Sequence, residues 1–332
     1  MVPDMHDATA ISERLASRLK ARHLTLLLNI SALGSLTLVG QKMHMSQPAI
    51  TQALTELEAI FGMPLFSRGA RGVVATPAGE VALKHASCMI RDMEGWGSEM
   101  AAVDAGYAAH LKVGVIPFTS EHLICEVLRE TMLDEQKFSV SIHEATTDQL
   151  LSRLVSHDLD CVIGRACVSS HVSQLRHEIL YHQRPCLVAG SALGKRLENL
   201  PLDWQKLRDL AWLMPPKDTP VRQILTTLFV QQGLQPPQPL LESYSPKILA
   251  AILTAHPTAV AIVPDEIASE LTHIASVMIV PYALQWDLPP IAIIRRNRPV
   301  ASSAEEAFIN VLRRQTKKMA GQQLTKPEGY AV

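Results

Sequence analysis

The 332-residue sequence lacks the features that mark a secreted, membrane-spanning or disulfide-stapled protein. It has five cysteines, an odd number without a pairing pattern, as is typical of a reducing compartment. Its two most apolar stretches are interrupted, one by Asn29 and Ser31 and the other by His256 and Pro257, so neither reaches the roughly 18 apolar residues of a membrane helix. The first ten residues hold no basic segment followed by an apolar core, so we expect no secretion signal. We therefore predict a cytoplasmic protein without a membrane partner.

Catalytic and metal-binding patterns are also missing. The serines, histidines and aspartates form no nucleophile elbow or other catalytic signature, so we predict that the protein is not an enzyme and uses no cofactor. Cys161, Cys167 and His171 come nearest to a ligand set, but their spacing matches no common metal site, and we predict none. Apolar residues make up 47% of the chain, enough for folded cores, and its length predicts two or three domains.

Residues 35–76 have the pattern of two short helices, a tight turn between them and a β-hairpin after them. The first helix is predicted over Leu36–Met43 with Ser35 as its N-cap. Ser46 caps the second helix, and Pro48 lies in its first turn, where the missing N–H costs nothing. A helix pair of this kind can place its second member in a DNA major groove.

The second helix of the pair has an apolar and a polar side. Its apolar residues recur every three or four positions and should point inward; they are Ile50, Leu54, Leu57 and Ile60 or Phe61. Short amide and hydroxyl side chains lie on the other faces near the helix start: Gln47, Thr51, Gln52 and Thr55. Such groups suit base edges or phosphates.

The hairpin carries Arg68 and Arg71, whose guanidinium groups can contact phosphates or the minor groove. Residues 14–76 contain seven basic and two acidic side chains, a net charge of +5 on a chain whose net charge is −1. A basic module on a near-neutral protein is the expected footprint of duplex binding. The alternative, an ordinary helical hairpin inside an enzyme, explains neither the arginine-bearing wing nor this charge balance.

The run from Arg22 to Glu80 resembles the N-terminal domain of the LysR-type transcriptional regulators. The matching pieces are Arg22–Leu24, Gly34–Ser35, Ser46-Gln47-Pro48-Ala49, Leu57-Glu58, Gly62-x-Pro64-Leu65-Phe66-x-Arg68 and Thr76-Pro77-x-Gly79. Within the family the chain looks most like regulators of aromatic-acid or sugar catabolism. It departs from the family at Val39 and Gly40, where two alanines are usual, and at Gln52, where a basic residue is frequent. The resemblance implies a winged helix-turn-helix, and the DNA-binding residues we expect are Ser35, Ser46, Gln47, Pro48, Thr51, Gln52, Arg68 and Arg71.

A long helix is predicted to follow, with Thr76 as its cap and Pro77 at its first position. It should run for about 28 residues, or about 42 Å, to near Gly106. Apolar residues alternate intervals of four and three along it, as in a coiled coil: Ala82, Ala86, Met89, Met93, Trp96, Met100 and Val103. We expect this seam to pair with another copy in a homodimer or homotetramer, which would place two recognition helices on one DNA. Packing against the following domain is the alternative.

After Gly106, strands and helices alternate, which predicts α/β lobes with parallel sheets. Two lobes joined by two crossings resemble the periplasmic-binding-protein-like effector domain of the same family. The second lobe is expected to start near Glu178, and Val277–Val280 and Ile291–Ile294 are expected to return to the first. The domain bounds we predict are 18–76 for the winged helix-turn-helix, 77–106 for the linker helix and 107–320 for the effector domain, with lobe I at 107–166 and 266–320 and lobe II at 167–265.

Open α/β sheets bind small molecules beyond the carboxyl ends of their strands, and a helix N-terminus there favours an anion. The candidates for such a cleft are Phe118, Thr119 and Ser120 in lobe I and Ser243, Tyr244 and Ser245 in lobe II, with Thr146, Thr147 and Pro215–Thr219 in its walls. We expect them to converge on a small carboxylate. The alternative is that each serine or threonine only caps a helix, which contributes about 1 kcal/mol.

These patterns together predict a ligand-responsive, sequence-specific DNA-binding regulator of transcription. The effector would close the lobes and change the spacing of the DNA-reading heads. We expect its partners to be double-stranded DNA, an organic-acid effector, further copies of the chain and RNA polymerase. Two alternatives stay open: an enzyme whose α/β half is catalytic and whose N-terminal helices dimerise it, and a DNA-binding protein whose second half has lost ligand sensing.

Overall fold

The computed structural model describes residues 8–69, 72–132, 138–166, 174–285, 288–297 and 302–325. The chain divides into an N-terminal unit, which runs to Ala101 and includes Ser156–Asp158, and an α/β unit that comprises the remaining residues from Ala102 onward. No helix among the described residues is both long and apolar enough to span a bilayer.

The N-terminal unit is helical with a two-stranded wing. Its elements are α1 (Ala8–Arg18), α2 (Ala21–Leu33), α3 (Leu36–Met43), α4 (Gln47–Phe61), β1 (Phe66–Gly69), β2 (Gly72–Ala75) and α5 (Pro77–Asp104), whose last residues belong to the second unit. The predicted bounds of α3 are confirmed, and α4 ends at Gly62, which has φ +76° as a C-terminal cap. Ile50, Leu57 and Ile60 of α4 are buried in the core of this unit, as their spacing predicted.

The α/β unit contains ten strands and eight helices within the described residues. The first series is β3 (Ala109–Val115), α6 (Glu121–Met132), β4 (Phe138–Glu144), α7 (Thr147–Val155), β5 (Cys161–Arg165) and β6 (Leu175–Tyr181). The second is β7 (Pro185–Gly190), α8 (Ser191–Leu197), α9 (Trp204–Arg208), β8 (Ala211–Met214), α10 (Pro220–Gln231), β9 (Pro239–Glu242), α11 (Pro246–Ala255), β10 (Ala259–Pro264), α12 (Asp265–Ile274) and β11 (Val277–Val280). The chain ends with β12 (Ile291–Arg296) and α13 (Ser303–Thr325).

These strands form two five-stranded sheets, one in each lobe. The first has the order β4-β3-β5-β12-β6 and the second the order β11-β7-β10-β8-β9. Both sheets are mixed rather than parallel, because β12 runs antiparallel to β5 and β6, and β7 runs antiparallel to β10 and β11. In the second sheet, successive residues of β10 face separate apolar cores, Ala261 and Val263 on one side and Val260 and Ile262 on the other. Burial on both faces explains the unbroken apolar run of this strand.

Two strands lie in the opposite lobe from the one that the sequence predicted. β6, which we placed in lobe II, pairs with β12 in the first sheet. β11, which we placed in lobe I, pairs with β7 in the second sheet. The lobe bounds 107–166 with 266–320 and 167–265 are therefore wrong for these strands. An apolar pattern identifies a strand, but the sheet it joins is decided by contacts between residues far apart in sequence.

Candidate functional site

The turn between α3 and α4 is closed by backbone contacts. His44 adopts a left-handed conformation with φ +54°, and the Met45 N–H donates to the Gly40 carbonyl at 2.8 Å. A Cβ atom on Gly40 would lie 2.7 Å from the Met45 carbonyl oxygen, so the turn approaches α3 more closely than a side chain permits. The Ser46 hydroxyl accepts from the Ala49 N–H at 3.4 Å and caps α4, whereas Ser35 precedes α3 without a side-chain cap bond.

The start of α4 presents its polar side chains outward. Gln47, Pro48 and Gln52 are exposed and Thr51 is half-buried. The Thr51 hydroxyl donates to the Gln47 carbonyl at 3.1 Å, and it keeps its lone pairs for a further partner. The Gln52 amide donates to the Glu56 carboxylate at 3.0 Å, which directs it along the helix.

The wing is attached to α4 by a carboxylate whose role the sequence did not reveal. Glu58 accepts hydrogen bonds from the backbone N–H of Leu65 at 2.7 Å and of Phe66 at 3.1 Å. In the sequence, only the match of Glu58 to the family pattern marked this residue. Arg68 lies in β1 opposite Val73, and Arg71 lies outside the described residues.

The long helix α5 divides its predicted seam between two environments. Ala82 and Ala86 are 6% and 1% exposed and pack in the core of their own unit, so they are removed from the dimerisation set. Their small side chains let α5 lie close to that core. The other five residues are 39–68% exposed in the single chain: Met89, Met93, Trp96, Met100 and Val103.

The α/β unit contains a cavity of about 980 Å³ at the carboxyl ends of strands from both sheets. Six of the eight predicted effector-binding residues line it: Phe118, Thr119, Thr146, Ser243, Tyr244 and Ser245. The other two face elsewhere. The Ser120 hydroxyl donates to Glu270 at 3.1 Å and accepts from the Leu123 N–H at 3.3 Å, and the Thr147 hydroxyl accepts from the Arg165 N–H at 3.4 Å.

Several of the lining hydroxyls also hold the local backbone, as the capping alternative required. Ser245 accepts from the Ile248 N–H at 3.4 Å and caps α11, and Ser243 accepts from the Ser245 N–H at 3.1 Å. Thr119 donates to the Ile116 carbonyl at 2.9 Å. The two interpretations therefore apply to the same residues, because a capping hydroxyl at a strand end also faces the cavity.

Phe118 joins the two lobes. Its side chain packs in the apolar core of the second lobe and contacts the Tyr244 ring edge-on, with centroids 6.3 Å apart. Its φ of +66° is strained for an aromatic residue. The Gln183 side-chain amide donates a hydrogen bond to the Phe118 carbonyl oxygen at 2.9 Å. The loop after β3 is therefore fixed to the opposite lobe at the base of the cavity.

Of the charged residues of the cavity, only Asp218 lies in a segment that the sequence suggested, the wall candidate Pro215–Thr219. Within the part of the chain that the structure describes, four of the five charged residues that line the cavity are acidic, Glu121, Glu144, Asp218 and Glu242, and the fifth is Lys247. Glu242 forms an ion pair of 3.0 Å with the buried Arg222. Four of the five lie within two residues of the predicted hydroxyl segments in sequence, namely Glu121, Glu144, Glu242 and Lys247, but their common exposure to one cavity follows only from the fold.

A buried polar cluster lies next to the cavity between the lobes. Arg165 donates to the Gln183 side-chain oxygen at 2.7 Å, and the Gln183 amide donates to Glu266 at 3.3 Å. Burial lowers the pKa of Arg165 to about 10, so it stays charged at neutral pH. Burial, with the nearby Asp265 carboxylate, raises the pKa of Glu266 to about 8.

Among the described residues, no cluster of three or more histidine, cysteine or acidic side chains could hold a metal ion. Cys161 is buried in β5, and burial raises the pKa of its thiol well above the ordinary value. Cys167 and His171, the other members of the triplet considered from the sequence, lie outside the described residues.

Comparison with known families identifies both halves of the chain. Residues 21–80 match the bacterial regulatory helix-turn-helix protein, lysR family, and residues 104–317 match the LysR substrate binding domain. The chain is 25% identical to the transcriptional regulator GbpR of Azospirillum brasilense, over 89% of this chain and 86% of that protein. It is 24% identical to the regulator GalR of Pseudomonas putida, over 89% of this chain and 73% of that protein.

Solved structures share the fold. Full-length CbnR in complex with its target DNA superposes with a TM-score of 0.59 at 19% identity, over 90% of this chain and 100% of that one. Full-length BenM gives a TM-score of 0.51 at 18% identity, over 94% and 100%. The two family matches, which together span most of the chain, settle the class: the chain belongs to the LysR family of DNA-binding transcriptional regulators, with a helix-turn-helix domain and an effector-binding domain, and it is not an enzyme.

Proposed function

We propose that this regulator couples operator binding by α4 to a small molecule held in the cavity of the α/β unit. The observation that carries this proposal is the position of the cavity, which is lined by strand ends of both sheets. A ligand there contacts both lobes at once. It therefore favours one arrangement of the lobes by the difference between its affinities for the two.

We assign base reading to Gln47 and Thr51. We assign contacts with the DNA sugar-phosphate backbone to Ser35, Ser46, Pro48, Gln52, Arg68 and Arg71. The exposure of Gln47 at the first turn of α4 supports the first assignment. The net charge of +5 over residues 14–76 supports the second, because phosphate contacts are made mainly by basic modules.

LysR regulators form oligomers, and we propose the apolar strip of α5 as the contact here. The strip comprises Met89, Met93, Trp96, Met100 and Val103, and it is exposed in the single chain. Large exposed apolar side chains at coiled-coil spacing are stabilised by a matching strip on a second copy. RNA polymerase is a further proposed partner on the basis of the regulatory role, and we assign no surface to it.

The organic-acid effector expected from the sequence receives no support from the cavity, because acidic residues dominate its charged lining. The proposal made here requires only that some small molecule bind in the cavity.

Footprinting on the DNA upstream of the protein's own gene tests the coupling. Compounds that raise the thermal unfolding midpoint in a screen are added to the complex, and the footprint is expected to change with ligand concentration. Ala145→Trp should weaken this change while DNA binding persists, because Ala145 lines the cavity and an indole there would occupy part of the space for the ligand. Ala192→Trp, at an exposed position on α8 outside the cavity, is the matched control. A footprint that changes equally in both variants contradicts the proposal.

A further inference from the structure

We propose that the effector of this regulator carries no negative charge and donates several hydrogen bonds, as a neutral polyhydroxylated molecule or an amine does. The inference rests on the proposed function, because it concerns the ligand of the same cavity. It reverses the charge that the sequence alone suggested.

The walls of the cavity carry more negative than positive charge among the described residues. Glu121 and Glu144 come from the first lobe and Asp218 from the second. The remaining acid, Glu242, is matched by Arg222 at 3.0 Å. This leaves three carboxylates against the ammonium of Lys247. An anion in the cavity would lose water and meet like charges, whereas O–H and N–H donors would form charge-assisted hydrogen bonds.

The helix N-termini at the cavity, which led us to expect an anion, have N–H groups that are bonded within the protein. At the start of α6 the protein's own carboxylate takes the anion's place, because Glu270 accepts from the Glu121 N–H at 2.8 Å and from the Ser120 hydroxyl at 3.1 Å. The Leu123 N–H is bonded to Ser120. At the start of α11 the Ile248 N–H is bonded to Ser245. The Glu121, Leu123 and Ile248 N–H groups are thus already bonded within the protein.

Part of the cavity lining is apolar. Phe118 and Tyr244 meet edge-on at one side of the cavity, and Ile124 and Ile142 also line it. A ligand that fits needs a hydrocarbon face beside its donors. Ring polyols and amines with a short hydrocarbon body both have this combination, and they share the hydrogen-bond chemistry on which the inference depends.

The charge of the cavity can be measured without knowing the effector, because Cys125 lines it and is exposed. Cys125 follows Glu121 by one helical turn on α6. The full-length protein is treated at low ionic strength with methanethiosulfonates that carry either a trimethylammonium or a sulfonate group. The rate at Cys125 is read by mass spectrometry of its peptide, so that the other cysteines do not contribute.

We expect the cation-to-anion rate ratio at Cys125 to exceed that of free 2-mercaptoethanol by roughly fivefold or more, since negative walls concentrate cations. Added salt should reduce the excess. Glu121→Gln combined with Glu144→Gln should bring the ratio towards the free-thiol value, whereas Glu198→Gln, an exposed acid on another surface, should not. A ratio at or below the free-thiol value overturns the inference and leaves the proposed function standing.

Matched ligands then separate the two sources of the chemistry. Glucose, glucosamine and gluconate form one set, and benzyl alcohol, benzylamine and benzoate form another. In any set that protects Cys125 from labelling, the neutral or cationic member should bind at least tenfold more tightly than the acid. Tighter binding by the acid overturns the inference. A ligand that protects Cys125 but leaves the DNA footprint unchanged overturns the proposed function instead.

Discussion

At the scale of single residues, the DNA-reading head depends on backbone geometry as much as on side-chain chemistry. The turn before α4 combines a left-handed His44, a glycine at position 40 without space for a side chain, and a serine cap at Ser46. These features fix the direction in which Gln47 and Thr51 leave the domain. Small changes in the turn should therefore affect stability, while changes at exposed positions of α4 such as Gln47 should affect DNA binding.

Gly40→Ala should destabilise the protein by about 1–2 kcal/mol, because the added methyl group overlaps the Met45 carbonyl and the overpacking outweighs the gain in helix propensity. Gly95→Ala is the matched control: it also lies in a helix, and its Cβ would meet nothing within 4 Å. The control should stabilise by about 0.5–1 kcal/mol. Urea unfolding followed by circular dichroism measures both, and equal effects would contradict the role given to the turn.

Gln47→Ala and Thr51→Ala should each relax base preference in the operator at a cost of about 1–3 kcal/mol for the preferred site. Arg68→Ala should weaken binding to all sequences and reduce the slope of log K against log salt by about one. Titrations on the operator and on scrambled DNA distinguish these results. Gln223→Ala, an exposed glutamine of α10, serves as control. An affinity unchanged by all three substitutions refutes the assignment.

At the scale of elements, α5 shows how one helix serves two purposes along its length. Its first turns carry small alanines that pack into the core of the N-terminal unit. Its later turns carry methionines and a tryptophan that remain exposed. One heptad pattern therefore continues from an internal contact to a proposed contact between copies.

Trp96→Glu should lower the mass of the assembly, because a charge in an apolar seam is not matched on the partner. Trp96 is 68% exposed in the single chain, so its replacement should leave the fold of one subunit intact. Ser98→Glu places the same charge on the opposite side of α5 by heptad position and should not change assembly. Sedimentation velocity gives the mass, and an unchanged mass for Trp96→Glu would exclude this strip as the contact.

At the scale of the whole effector domain, the buried polar cluster between the lobes makes stability depend on pH. The pKa of Glu266 is raised from 4.5 to about 8 by burial and by Asp265, and its Oε1 has no hydrogen-bond partner among the described residues. The folded protein keeps a proton that the unfolded chain releases above pH 4.5. The stabilisation of the folded state by this proton is thus complete below pH 4.5 and is lost as the pH rises through about 8.

As the pH rises from about 5 to about 8, the free energy of unfolding of the wild type should therefore decrease, by at most about 1.4 kcal/mol per pH unit from this group. The thermal midpoint should decrease with it. Glu266→Gln should remove most of that slope, since glutamine stays neutral. Glu198→Gln, at an exposed position, should retain it. Calorimetric scans at several pH values provide the measurement, and an identical slope in Glu266→Gln would contradict the assignment.

The helix pair and wing were predictable because their signals are local. Ser46, Pro48 and Gly62 mark the start and end of α4 in the sequence itself, and the three-to-four spacing of its apolar residues gives its buried side. The positions of Phe118 and Tyr244 at strand ends were predictable for the same reason. The burial of Ala82 and Ala86 in their own unit was not predictable, because an alanine at a heptad position fits either the core of a domain or a coiled-coil seam between copies.

The sequence by itself determined the family, the order of the domains and the segments that border the cavity, since caps, glycines and apolar periodicity act over a few residues. Only the tertiary structure decided that β6 belongs to the first lobe and β11 to the second, and that the cavity is acidic. Strand pairing and the summed field of Glu121, Glu144 and Asp218 depend on residues that are distant along the chain and close only after folding.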